Sequence, residues 1–136
     1  MSVKKRITEN FDKQAFMKTL GAELVSIETG EVRISCKYEK KLTQQNGFFH
    51  AGVLTSVVDS ACCYAALSVM PENADVLSVE FKMNLLRPAN TEKIIAIGTV
   101  LKAGKKIIVC EGTIYDATEN KMLCRMNATM FCVTND

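Results

Sequence analysis

Residues 51–70 carry one charged side chain, Asp59, among twenty positions that are otherwise apolar, small or hydroxylic. At 1.5 Å per residue such a run is long enough to cross a bilayer as a helix. A carboxylate at its centre, several hydroxyls around it and no basic flank on either side argue against that placement. The better reading is a helix buried nearly all round in the middle of a water-soluble fold, ended by Pro71 and Asn73. A helix without a solvent face must be wrapped by the rest of its own chain, and that requirement directs the reading of the flanks.

The flanks read mostly as strands. Residues 8–21 form a short helix, with Phe11, Ala15, Phe16 and Leu20 at helical spacing, Thr8 or Asn10 at its start and Gly21 as its stop. Runs 24–27 and 32–38 flank Thr29-Gly30, a hairpin signal, and in the second run Val32, Ile34, Cys36 and Tyr38 oppose Arg33, Ser35 and Lys37. A polar loop over 40–47 leads into Phe48-Phe49-His50. After the long helix, 77–86 alternates Leu77, Val79, Phe81, Met83 and Leu85 against Ser78, Glu80, Lys82 and Asn84. Runs 93–101 and 107–115 are joined by the basic turn Lys102-Ala103-Gly104-Lys105-Lys106, and 121–133 puts Met122, Cys124, Met126, Ala128, Met130 and Cys132 on one face. The fold class is α+β: a long antiparallel sheet wrapped around one central buried helix, with a short N-terminal helix. No linker or internal repeat interrupts 1–136, so one domain is expected. A chain of 136 residues buries about two thirds of its unfolded surface, enough for a real core.

Composition removes several functional classes. A net charge of +2, with no Lys/Arg cluster interleaved with aromatics, excludes a nucleic-acid partner. Six cysteines, at 36, 62, 63, 110, 124 and 132, include no Cys-x-x-Cys pair, and a single histidine leaves too few ligands for the usual zinc site. Most of them alternate within apolar runs, as buried reduced thiols do. Neither a metal nor an organic cofactor is expected. The basic start Met1-Ser2-Val3-Lys4-Lys5-Arg6 is followed by no apolar segment, so no secretory leader is expected and the expected compartment is the cytoplasm.

Asp59 is the most informative side chain. An isolated carboxylate in an apolar helix carries a large desolvation cost unless something compensates it. Ser56, Ser60 and Cys63 lie one turn away on its face, with Thr55 and Cys62 close by, and side chains so small border a narrow cavity well. Burial alone leaves two readings open, a catalytic carboxylate and a structural one satisfied by hydroxyls or amides. The turn His50-Ala51-Gly52 favours the first: the backbone N–H groups that begin a helix suit an oxyanion formed from a carbonyl. A carboxylate with such donors suits hydrolysis of an activated acyl group. Within one helix the parts do not meet, because eight residues from Ala51 to Asp59 span roughly 12 Å. Antiparallel helices across a two-fold axis bring them together, which predicts a composite site between subunits and an inactive monomer.

At these residues the chain resembles the hotdog-fold acyl-CoA thioesterases, specifically the phenylacetic-acid-degradation (PaaI-type) group. The resemblance runs from Gln44 through Asn46-Gly47-Phe48-Phe49-His50-Ala51-Gly52-Val53 to Asp59 and resumes at Leu85-Leu86-Arg87-Pro88-Ala89. It implies that Asp59 is the nucleophile or the general base towards water, that Gln44 positions the thioester or the water, and that the Ala51 N–H polarises the carbonyl. His50 is implied to orient the loop and support the turn, and Ser78 matches a Ser or Thr that one branch uses on the strand after the helix. The family's first glycine is Ala51 here, which keeps the backbone donor. Arg87, Lys102, Lys105 and Lys106 are candidates for the CoA phosphates, Arg87 foremost because it lies in the Arg-Pro turn. The implied partners are an acyl-CoA and a second copy of the chain, as a homodimer that assembles further to a homotetramer; no membrane partner is implied. Three other readings accompany this one: a non-catalytic acyl-CoA-binding module acting as sensor or carrier, a hydratase or dehydratase, which needs a catalytic histidine in a different place, and a structural hotdog subunit of a larger assembly.

Overall fold

The computed structural model describes residues 1–134. The sequence folds in the order α1 (Val3–Lys13), α2 (Ala15–Leu20), β1 (Ala22–Glu28), β2 (Glu31–Lys37), a single 3-10 turn at Lys40–Leu42, α3 (Ala51–Leu67), β3 (Ala74–Leu85), β4 (Lys93–Ala103), β5 (Ile107–Tyr115) and β6 (Met122–Thr134). The six strands make one antiparallel sheet in the order β1-β2-β4-β5-β6-β3, curled around α3. This is the hotdog arrangement expected from the sequence. No helix among the described residues is long and apolar enough to cross a membrane.

Burial follows the periodicities that form the elements. Val57, Val58, Ala61, Cys62, Ala65 and Ala66 of α3 are fully buried, as are Val32, Ile34 and Cys36 of β2 and Cys124, Met126 and Met130 of β6. The sheet presses most closely on the helix at the paired glycines Gly98 and Gly112. A Cβ on Gly98 would overlap the Ala61 backbone, and one on Gly112 would lie 2.6 Å from Val58 Cγ2. Two facing positions without side chains let the helix settle onto the sheet. Five of the six cysteines are buried and all six are unpaired, so they act as small core hydrophobes; Cys63 is half-buried.

Three local expectations are corrected. The helix drawn over 8–21 is two helices, begun by Ser2, whose hydroxyl caps Lys5 N, and not by Thr8 or Asn10. The chain leaves helical conformation at Gln14 (φ −82°, ψ 95°), whose side chain turns inward to Ser60 and Tyr64. Phe16 is 52% exposed as a result, and Met17 takes the buried position. Gly21 does end α2, at φ +73°. The long helix stops at Leu67 rather than Met70, four residues before Pro71. The third correction concerns β3. Its strict alternation is broken by a bulge between Ser78 and Glu80. Ser78 pairs with buried Met130 and faces α3, and past the bulge Phe81, Met83 and Leu85 take over the helix side. The sequence pattern had put Ser78 on the polar face with Glu80 and Lys82.

Candidate active site

The candidate residues gather in two places on and around α3. At its start, His50 is the N-cap and its Nδ1 accepts the Gly52 N–H at 2.7 Å. Neutral imidazole bonded in this way carries its proton on Nε2. The Gly52 amide is therefore engaged, which corrects the expectation of a row of unpaired donors. Gly52 contributes space: a Cβ there would lie 3.0 Å from His50 Nδ1. The Ala51 N–H has no acceptor among the described residues and remains at the positive end of the helix. Glu119 is the sole non-glycine residue with positive φ among those described, so the methyl of Ala51 strains nothing.

The loop before the helix is tied down by backbone and side chain together. Gln44 N donates to Phe48 O at 2.9 Å, His50 N to Leu42 O at 2.9 Å, and Phe49 N to Ala89 O at 3.2 Å. Tyr38 packs its ring edge-on to Phe49 and donates its hydroxyl to Gly47 O at 2.9 Å. Gln44 Oε1 accepts from the backbone of Asn46 and Phe48, so what this side chain offers to a ligand is its amide N–H. Gln44, His50, Ala51, Leu86 and Arg87 line a shared groove of about 550 Å³. Arg87 gives one N–H to Met122 O at 2.7 Å and keeps its other donors. Lys105 and Lys106 stand on the β4–β5 turn and do not line this groove in the same chain; the Lys106 carbonyl accepts from Cys132, whose strand partner is Val76.

Two turns further along α3, Asp59 lines a second recess of about 160 Å³ with Asn10, Gln14, Ser60, Cys63, Tyr64, Asp75 and Val76. Its Oδ1 accepts the Ser78 hydroxyl at 2.8 Å, and its pKa is pushed up by burial, an effect that the Ser78 bond partly offsets. The β3 bulge is what brings Ser78 here. Ser60 and Cys63 border the recess as the sequence suggested, but the facing wall was not foreseen: Ser60 Oγ donates to Gln14 Oε1, Gln14 Nε2 to Tyr64 OH, and Tyr64 OH to Asn10 Oδ1. The available signal was a polar residue, Gln14, between the buried Phe11 and Met17. A larger hollow of about 590 Å³ between α1 and β1 holds none of the candidate residues. No three His, Cys, Asp or Glu side chains among the described residues are grouped to hold a metal ion.

The structure thus unites Gln44, His50, Ala51 and Arg87 in one groove and Asp59 with Ser78 in another recess of the same chain. The recess borders β3, which pairs on one side only, with β6, and exposes Leu77 (60%), Val79 (56%) and Leu85 (55%).

Residues 46–123 match the family described as the thioesterase superfamily. The fold is that of a thioesterase family protein from Silicibacter pomeroyi, with a TM-score of 0.95, 38% identity, and coverage of 98% of this chain and 100% of that one. The PaaI protein of the E. coli phenylacetic acid degradation operon shares the fold with a TM-score of 0.89 at 19% identity, over 98% of this chain and 94% of its own. The 1,4-dihydroxy-2-naphthoyl-CoA hydrolase of Listeria monocytogenes is 28% identical over 113 residues, 83% of this chain and 91% of that enzyme.

Proposed function

We propose, from the premise that this chain belongs to the thioesterase superfamily and is a thioester hydrolase, that its substrate is an acyl-CoA and that its active site forms between two copies of the chain. The carrying observation is the separation on α3. The ionisable acid and the open oxyanion donor lie roughly 12 Å apart on one rigid helix and face different cavities. No single thioester carbonyl reaches both within a protomer. A two-fold axis beside β3 sets the start of one helix against the middle of the other, and the exposed apolar edge of β3 supports this pairing. The likeness to the PaaI fold supports membership of that group.

In this arrangement the carbonyl oxygen rests on the Ala51 N–H of one protomer, with the Gln44 amide beside it. Negative charge developing there is stabilised by a fixed donor at a helix start, where it is worth more than in water. Asp59 of the mate either attacks the carbonyl carbon, giving an anhydride that water then hydrolyses to the free acid, or takes a proton from a water that itself attacks; in both routes the C–S bond breaks and CoA leaves as the thiolate. Both routes need Asp59 ionised. His50 holds the donor turn rather than moving a proton, since its Nδ1 is committed to Gly52. Arg87 from the groove side and Lys105 and Lys106 from the Asp59 side receive the CoA phosphates. Further assembly to a tetramer and a cytoplasmic location belong to the same proposal.

Complementation tests it. Asp59→Asn and Gln44→Ala are each expected to be inactive in thiol release. Mixed and allowed to exchange, half the dimers carry one variant of each kind, and each of these rebuilds one intact site, so activity returns to about one quarter of wild type. Mixtures that stay inactive although mass measurement shows exchange would mean that both residues serve one carbonyl in the same chain. Tight acyl-CoA binding without thiol release by the wild-type protein would favour the sensor reading instead. The replacement of the family's first glycine by Ala51 gives that reading no support, because Ala51 is unstrained and its N–H has no acceptor among the described residues.

A further inference from the structure

Cys63 lies one turn beyond Asp59 on α3, at the mouth of the same recess. Its Sγ is 3.2 Å from Ser78 Oγ and 3.6 Å from Met130 Sδ. Ser78 Oγ is in turn 2.8 Å from Asp59 Oδ1 and 3.4 Å from Met130 Sδ. The Ser78 hydroxyl owns a single proton and has three neighbours able to accept it. A carboxylate at 2.8 Å is the strongest acceptor of the three, because the bond is charge-assisted, whereas thioether and thiol sulfurs accept weakly. The thiol proton has the converse choice, between a hydroxyl oxygen and a thioether, and the oxygen is the better and nearer acceptor.

We propose that Cys63 is a positioning residue: its S–H donates to Ser78 Oγ and so holds the Ser78 proton on Asp59 Oδ1, leaving Asp59 Oδ2 to meet the water or the acyl carbon. This rests on the reading of Asp59 as the reacting carboxylate. The chain Cys63–Ser78–Asp59 runs in one direction only, since a hydroxyl that accepts from sulfur presents its own proton to the carboxylate. Each bond in the chain polarises the next. Asp59 Oδ2 has no donor among the described residues, so the oxygen left over is the one open to the recess.

The thiol is suited to this task because it keeps its proton. Burial pushes Cys63 up to about 12, and the neighbouring Asp59 charge pushes the same way. A thiolate at this point would reverse the chain and set a second anion beside the first. The titratable groups near Asp59 are Cys62, Cys63 and Tyr64 on its own helix and Asp75 on β3; Cys110 of β5 acts on Cys62 and Cys63, Cys124 of β6 on Cys62, and Asp12 of α1 on Tyr64. Asn10 of α1, Gln14 of the α1–α2 junction and Met130 of β6 also face this cluster and do not titrate.

The test compares Cys63→Ser, Cys63→Ala and Cys63→Val in the full chain. The serine keeps a donor, the alanine removes it, and the valine removes it while filling the volume. Asp59 is titrated by ¹³C NMR of its carboxyl carbon and, separately, as the acid limb of kcat/KM. Loss of the donor frees the Ser78 hydroxyl to turn towards Met130, weakening its bond to the charged form of Asp59. The Asp59 pKa is then expected to rise by about 0.5–1 unit in the alanine and valine variants, with about a 3–10-fold loss of rate below the limb, while serine restores the wild-type value. Equal pKa values in wild type and both donor-free variants, or a serine variant that shifts with them, would overturn the proposal. Asp59→Asn run alongside separates the two claims. If it keeps wild-type turnover, the catalytic reading of Asp59 fails; if it is inactive while the donor-free variants leave the Asp59 pKa unmoved, only the role of Cys63 fails.

Discussion

Asp59 is held in a setting that costs the fold stability. Its pKa is raised by burial, so the folded state binds the proton more tightly than the unfolded chain does. Stability from that difference is fully present below the ordinary aspartate pKa of about 3.9 and is lost as pH climbs through the raised folded value. Above that window the ionised carboxylate is a burden that Asn does not carry. Asp59→Asn is therefore expected to raise Tm near neutral pH and to match wild type near pH 3, checked by thermal unfolding at both, while kcat falls on the order of 10²–10⁴-fold. The pH–rate profile of the wild-type enzyme should show an acid limb above the usual aspartate range, because Asp59 in its proposed role, as nucleophile or base, must lose its proton first. Asp59 was legible as a residue because a lone carboxylate stands out in an apolar run. Ser78 was not legible as its partner, since a bulge reassigns the faces of a strand without altering any residue type. The Gly52 amide was misread for a different reason: the orientation of the His50 ring depends on packing that spacing does not encode.

At the scale of elements, the hairpin, the central helix and the long strands could be read because their periods are carried by many side chains at once. Boundaries set by one side chain could not. Gln14 breaks the N-terminal helix because Ser60 and Tyr64 on α3 bind it, a tertiary contact winning over local helical preference. Arg6 is a similar case. Read in the sequence as part of a basic start, it clamps the α3–β3 connection by donating to Met70 O at 2.9 Å, Pro71 O at 2.7 Å and Ala74 O at 3.0 Å. Arg6→Ala should cost about 1–3 kcal/mol, measured by urea unfolding, since it leaves three carbonyls of the α3–β3 connection without those partners. Gly98→Ala tests the close seat of α3 on the sheet. With the Ala61 backbone in the way, the helix must shift, and a loss of about 3 kcal/mol, on the order of 10 °C in Tm, is expected.

For the whole molecule, the sequence led to the architecture and to the proposal of a second copy, the latter through a simple length argument on one helix. The acyl group was not legible. It depends on how the recess beside Asp59 is walled, and that wall is assembled from α1, α3 and β3 at once. The dimer proposal makes a prediction at this scale. Val79, at the β3 bulge, is 56% exposed, so Val79→Lys adds no charge to the interior of a lone protomer. It should leave the far-UV spectrum unchanged, shift the mass at micromolar concentration from two chains towards one, and lower thiol release about tenfold or more. A variant of unchanged mass with full turnover would place the pairing surface elsewhere.

The vacant side of β3 has a consequence for how such a chain survives in a crowded solution. Twelve residues of nearly continuous ladder, with Leu77, Val79, Phe81 and Leu85 exposed to solvent, form a template that an extended peptide can lengthen. Glu80 and Lys82 are its chief gatekeepers. In the proposed dimer, a copy parted from its twin is the species most prone to clump, and mating with that twin doubles as its chaperone.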